Sequence, residues 1–134
     1  MNATRITNNM SFIYLNLNPF NKDTDDCTIR AISLFLNQSW DKTYLDICEM
    51  GFFIKEMPST NHTWRKYLIY KGCIRERISN FYPDEYTVKD FCHDHPYGRY
   101  LIKVDEHILT VINGNYYDTW DSGNEIIHYY WRKE

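Results

Sequence analysis

Three residues carry types that do chemistry together: the thiol of Cys27, the imidazole of His107 and the carboxylate of Asp118. A thiol is a weak nucleophile until a neighbouring base converts it to the thiolate. An imidazole serves as that base when a third group fixes its tautomer and orientation. The last two belong to one stretch, His107 to Asp121, reading HILTVINGNYYDTWD. Runs of β-branched and aromatic residues flank Asn113-Gly114, the dipeptide favoured in a two-residue type I′ hairpin turn. With that turn Ile112 faces Asn115, Leu109 faces Asp118 and His107 faces Trp120. Alternation then puts His107, Leu109, Val111, Tyr116, Asp118 and Trp120 on one face. His107 and Asp118 lie on a diagonal of it, roughly 7–8 Å apart at the backbone. Trp120, opposite His107, is placed to wall the imidazole from water.

The element that positions the thiol is a helix. DCTIRAISLFLN is apolar over most of its circumference, with Ile29, Ile32, Phe35 and Leu36 on one side, so it is expected to run through the core. Asp25 or Asp26 is the expected N-cap. Cys27 then falls in the first turn, where unpaired N–H groups and the positive end of the helix dipole favour a thiolate. The two aspartates oppose that. A cationic partner is required, and His107 fits the need.

The other elements follow in order. Ser11–Leu17 is expected as a short strand. Ser39 caps a second helix, Trp40–Met50, with Gly51 as its stop and 52–58 as a connector. Ser59 or Thr60 caps a third helix ended by Gly72. Cys73–Ile78 is a further strand, and 79–86 a loop. Thr87 and Asp90 form a capping box for a short fourth helix. The last third predicts four strands, 98–104, 107–112, 115–120 and 126–131, in an antiparallel meander. Helices followed by a sheet mean α+β, in one domain spanning residues 1–134.

Composition bounds the function. The 134 residues suffice for one core, and the 43% hydrophobic content excludes a disordered chain. A formal net charge of −3 gives no electrostatic case for nucleic acid. No apolar run approaches the ~20 residues that span a bilayer, and MNATRITNNMSFIYLNLNPF is too polar for a signal peptide. The expectation is a cytoplasmic protein with no membrane or nucleic-acid partner. Four cysteines, at 27, 48, 73 and 92, show no CxxC and read as free thiols. Cys92-His93-Asp94-His95 holds metal-ligand types, but no second ligand pair accompanies it, so neither a metal nor a cofactor is expected. Asp121 falls on the face opposite His107 and is assigned instead, with Asn124, to the DSGN turn.

The segments DDCTIRAIS and HILTVINGNYYDTWDSG resemble the papain-like cysteine peptidase superfamily. They are most similar to small bacterial and phage proteins with a DC-x-x-RA segment and an H…G…YDTWD segment. The resemblance implies a papain-like α+β fold, its nucleophile helix packed on a C-terminal antiparallel sheet. It implies Cys27 as nucleophile, His107 as general base and Asp118 as orienter. It also implies an amide side chain ahead of the cysteine to help bind the oxyanion. Asn21 and Asn18 are the candidates, where the family usually has Gln. The implied activity is hydrolysis of a peptide or isopeptide bond through an acyl-enzyme, with amidase and acyltransferase chemistry as neighbours. The partner is then a peptide or protein substrate, a host protein in the host cytoplasm if the chain is phage-encoded. The alternative from another class is a catalytically silent papain-like binding module that captures a host protein or small molecule.

Overall fold

The structure is a computed structural model that describes residues 11–78 and 85–134. The expected loop at 79–86 lies mostly outside the described residues. Within them the chain is α+β, with helices α1 (Cys27–Leu36), α2 (Trp40–Ile54), α3 (Asn61–Tyr70) and α4 (Val88–Asp94). The strands are β1 (Phe12–Tyr14), β2 (Cys73–Arg77), β3 (Arg99–Val104), β4 (His107–Ile112), β5 (Asn115–Asp118) and β6 (Tyr129–Lys133). None of the described helices is long and apolar enough to cross a membrane.

The strands form one six-stranded sheet in the order β1-β5-β4-β3-β6-β2. Two expectations are corrected here. The last four strands are not a simple meander: β6 leaves β5 and returns beside β3. The cause is local pairing. Ile126 bridges Thr87 and the Ile127 N–H donates to the Tyr86 carbonyl, so these residues hold the entrance to α4 and the strand starts only at Tyr129. Nor is the sheet wholly antiparallel and C-terminal. β1 adds to β5 in parallel and β2 pairs with β6.

Helices cover both faces. Ala31, Ile32 and Phe35 of α1, Ile47 of α2, and Trp64, Tyr67 and Leu68 of α3 pack on Leu101, Ile108 and Trp131. On the other face Val88, Phe91 and Cys92 of α4 meet Ile102, Val104, Leu109, Val111 and Tyr116. Successive residues of β3 and β4 thus feed opposite cores, which is why both strands read as nearly continuous apolar runs.

Next to the turn the hairpin has the expected register, with Ile112 opposite Asn115 and Thr110 opposite Tyr117, but the ladder ends there and β5 ends at Asp118, short of the expected Leu109–Asp118 and His107–Trp120 pairs. Asn113 and Gly114 have φ of 50° and 77°, the two positive values a type I′ turn requires. The Asn113 side chain also accepts from the Gly98 N–H at 2.8 Å, tying the turn to the start of β3.

Gly51 does not stop α2, which continues to Ile54 and ends on a left-handed Lys55 (φ 60°). The glycine serves a close approach instead. A Cβ there would stand 2.7 Å from the Glu56 carbonyl oxygen, where the chain folds back against the helix. The capping box of α4 is present in both halves: Thr87 Oγ1 accepts from the Asp90 N–H, and the Asp90 carboxylate from the Thr87 N–H.

Candidate active site

α1 lies across β4. Thr110 Oγ1 donates to the Ala31 carbonyl at 2.6 Å, and Arg99 Nη1 donates to the Leu34 carbonyl nearer the helix end. Ala31 is one turn beyond Cys27. These bonds set the helix along the strand so that its first residue meets the strand's first residue, His107.

His107 is close enough to the Cys27 thiol to act on its ionisation, through hydrogen bonding and charge. His107 Nε2 lies 2.7 Å from Asp118 Oδ2, with side-chain exposures of 11% and 1%. Since Asp118 takes Nε2, the nitrogen that remains for the thiol is Nδ1. The three residues thus form one connected chain, thiol to imidazole to buried carboxylate. The shared-face expectation is met along the strand by Leu109, Val111 and Tyr116, which pack on the α4 side. His107 and Asp118 end those rows at the margin of the β4–β5 ladder. There they reach α1: His107 contacts Cys27, and Asp118 Oδ1 lies 3.9 Å from Arg30 Nη1. The Trp120 ring sits 4.9 Å from the His107 ring, centre to centre, tilted by 40°.

The electrostatics favour an ionised pair. Burial works to raise the Cys27 thiol, but the His107 hydrogen bond, the charges of His107 and Arg30, and the Ile108 N–H outweigh it and hold the thiol below its ordinary 9.0. Burial likewise opposes charge on His107, yet the hydrogen bonds and charges of Asp118 and Cys27 push it up to about 9 from 6.5. The other described shifts among the cysteines go the opposite way: burial raises Cys73 and pushes Cys92 up to about 12.

The aspartate beside the thiol is neutralised. Asp26 holds the N-cap position, but its side chain caps nothing. It accepts from Arg30 Nε at 2.7 Å, Trp40 Nε1 at 2.9 Å and Asn18 Nδ2 at 3.1 Å. Burial would raise this carboxyl, but those three donors lower it. Arg30 reaches from Asp26 towards Asp118, with Nη1 also 3.4 Å from Thr119 Oγ1. Ser122 Oγ, fully buried, donates at 2.7 Å to Asp118 Oδ2, the oxygen that His107 also contacts, while the Thr119 N–H donates to Oδ1 at 2.8 Å.

The two candidate oxyanion amides are separated. Asn18 lines the same cleft as Cys27, but its Nδ2 is bonded to Asp26 and its Oδ1 accepts from the Phe20 N–H. Asn21, left-handed at φ 54°, borders a different cavity together with Trp120 and Arg30. The backbone N–H of Cys27 starts α1 with no side chain capping that turn, which leaves it as an oxyanion donor.

Arg30, Trp40 and Ser122 were not singled out from the sequence. Arg30 follows Asp26 by four residues on a helix, a spacing that pairs side chains, so that contact was legible. Ser122 is brought in by the turn after β5 and left no local signal. Asp121 accepts from the Tyr116 hydroxyl at 2.5 Å and the Gly123 N–H at 3.1 Å, within the turn assigned to it. Of the Cys92–His95 segment, Cys92 is in the core, Asp94 accepts from the Tyr86 hydroxyl and His95 stacks on Phe91 at 3.8 Å. Among the described residues no three His, Cys, Asp or Glu side chains are grouped to hold a metal ion. Compared with models of protein families, with curated proteins and with solved structures, the chain matches none.

Proposed function

We propose that this protein is a thiol-dependent acyl-transfer enzyme of papain-like type, with peptide or isopeptide hydrolysis as its reaction. The observation that carries the proposal is the His107–Asp118 pair, 2.7 Å apart and buried, set beside the Cys27 thiol whose ionisation His107 favours. In the resting state the thiolate of Cys27 faces a protonated His107. The sulfur attacks the substrate carbonyl carbon, and the oxyanion forms against the Cys27 N–H. The intermediate collapses as His107 passes its proton to the departing amine, leaving a thioester on Cys27. Neutral His107 then takes a proton from a water molecule, whose oxygen attacks the thioester. The acid leaves, and the proton returns the pair to its ionised state. Asp118 keeps the imidazole in place throughout, itself held by Ser122 and faced by Arg30.

One observation favours the second reading, a silent binding module. The Asn18 amide, which lines the same cleft as Cys27, is engaged by Asp26. Exposure to p-nitrophenyl acetate separates the two. The enzyme reading expects a burst of nitrophenol and an acetyl group on Cys27, found by peptide mass spectrometry and lost in His107→Ala. Acetylation spread evenly over Cys27 and Cys48, with no burst, assigns the cleft to binding.

A further inference from the structure

Beside the site lies a group of cations without anionic partners. Lys103 of β3 stands opposite Ile108 of β4 on one side and Tyr129 of β6 on the other. Residues paired across an antiparallel ladder share a face. Lys103 and Tyr129 therefore stand with Leu101 and Trp131, on the side that α1 and α3 cover, and Cys27 borders the same core. Two guanidinium groups meet the Tyr129 ring. Arg65 of α3 has its Cζ 5.7 Å from the ring centre, and Arg75 of β2 has its own at 5.0 Å. Arg65 Nη2 also donates to the Tyr129 hydroxyl at 2.9 Å, which fixes its guanidinium. Its Nε is enclosed and has no hydrogen-bond partner among the described residues. Lys103 Nζ donates to the Val104 carbonyl, a neutral partner.

Among the described residues none of these three cations is ion-paired with a carboxylate. Burial holds the Lys103 amine below its ordinary 10.5; the charges of Asp105, Cys27 and Glu106 oppose this, and that of Arg65 adds to it. Like charges gathered in a half-buried place are costly unless an anion offsets them. Guanidinium groups present planar forks that match carboxylate and phosphate, and Tyr129 holds these two in position for one.

We propose that Arg65, Arg75 and Lys103, gathered around Tyr129, form a binding site for an anionic group, a carboxylate or a phosphate, one strand away from His107. The site goes beyond the acyl-transfer reading and stands whether or not the thiol is activated.

An NMR titration of the isotope-labelled full chain tests it, with inorganic phosphate and, separately, with succinate, at constant ionic strength. The expected result is a saturable shift of the Arg65 and Arg75 Nε–H signals, with a dissociation constant of about 1 mM or tighter for one of the two anions. The anion that binds more tightly identifies the group. Arg75→Gln, at an exposed side chain, should weaken binding about tenfold, the worth of one charged hydrogen bond. Lys103→Gln should act in the same direction. Shifts that grow linearly and spread over the surface overturn the assignment, as does binding indifferent to both substitutions. Binding that moves the His107 signals instead also overturns it, because the anion then sits on the imidazolium. Saturable binding at Arg65 and Arg75 in a protein whose Cys27 is inert to p-nitrophenyl acetate supports the anion site and counts against acyl transfer alone.

Discussion

Arg30 has the most consequential contacts around the site. It neutralises Asp26 at 2.7 Å, stands 3.9 Å from Asp118 and helps lower the Cys27 thiol, all from a side chain only 12% exposed. Removing it leaves the buried Asp26 carboxylate without its cation and Asp118 with His107 alone. Arg30→Met should therefore cost about 3 kcal/mol in chemical denaturation at neutral pH. Arg30→Lys should recover part of that, because it restores charge but not the two-armed geometry. The pH dependence has a definite sign. Asp26 is lowered on folding, so its contribution is present above its ordinary 3.8 and fades as pH falls through the lowered value. Arg30→Met should flatten this acid loss; equal stability of variant and wild type at neutral pH would contradict the role. The grouping of Cys27, His107 and Asp118 is legible because their types complement one another and the hairpin count joins two of them. The Asp26–Arg30 spacing is legible too, but the sequence shows the aspartates only as a penalty on the thiol, because the Trp40 and Asn18 donors that join Arg30 on Asp26 come from elsewhere in the fold.

At the scale of elements, two seams build the site. The Asn113-Gly114 turn sets the register that brings His107 beside Asp118, and Thr110 sets α1 on β4. The first seam was readable from a dipeptide, since a positive φ at both positions leaves few other turns. The second was not, because a threonine in a strand says nothing of which carbonyl it will meet. It is also the easier to test. Thr110→Val keeps the shape and removes the donor, leaving the helix carbonyl its backbone partner. A loss of about 1 kcal/mol is expected. Because the bond positions the thiol, the same variant should slow alkylation at Cys27 while leaving Cys48 unchanged. A loss of stability with no change in the ratio of the two rates would make Thr110 a packing residue only. Gly51 teaches the converse. Read from sequence it looks like a helix stop, yet its backbone is ordinary and its missing Cβ admits the Glu56 carbonyl.

Across the whole molecule, the long-range order of the sheet was the least readable feature. Short connections argued for a meander, and β3, β4 and β5 follow one. β6 departs because residues 126 and 127 are captured by the segment entering α4, and β1 joins β5 from the other end of the chain. Neither pairing has a local signal, since backbone hydrogen bonds between distant segments do not depend on which side chains carry them. The consequence is a sheet covered on both faces, with His107 and Asp118 beyond the end of the β4–β5 ladder, beside the start of α1. The proposed chemistry requires that the fold hold Cys27 and His107 as an ion pair. Cys27 is ionised above its lowered value, and His107 keeps its proton until pH rises through about 9. The direct measurement is the pH dependence of iodoacetamide alkylation at each of the four cysteines, read by peptide mass spectrometry on the native protein. Cys27 is expected to react fastest, with a first rise below 9.0 and a second near 9 as His107 loses its proton. Cys73 and Cys92 should stay protected, and His107→Ala should abolish the first rise. A Cys27 that reacts no faster than Cys48, or that is indifferent to His107→Ala, would contradict it.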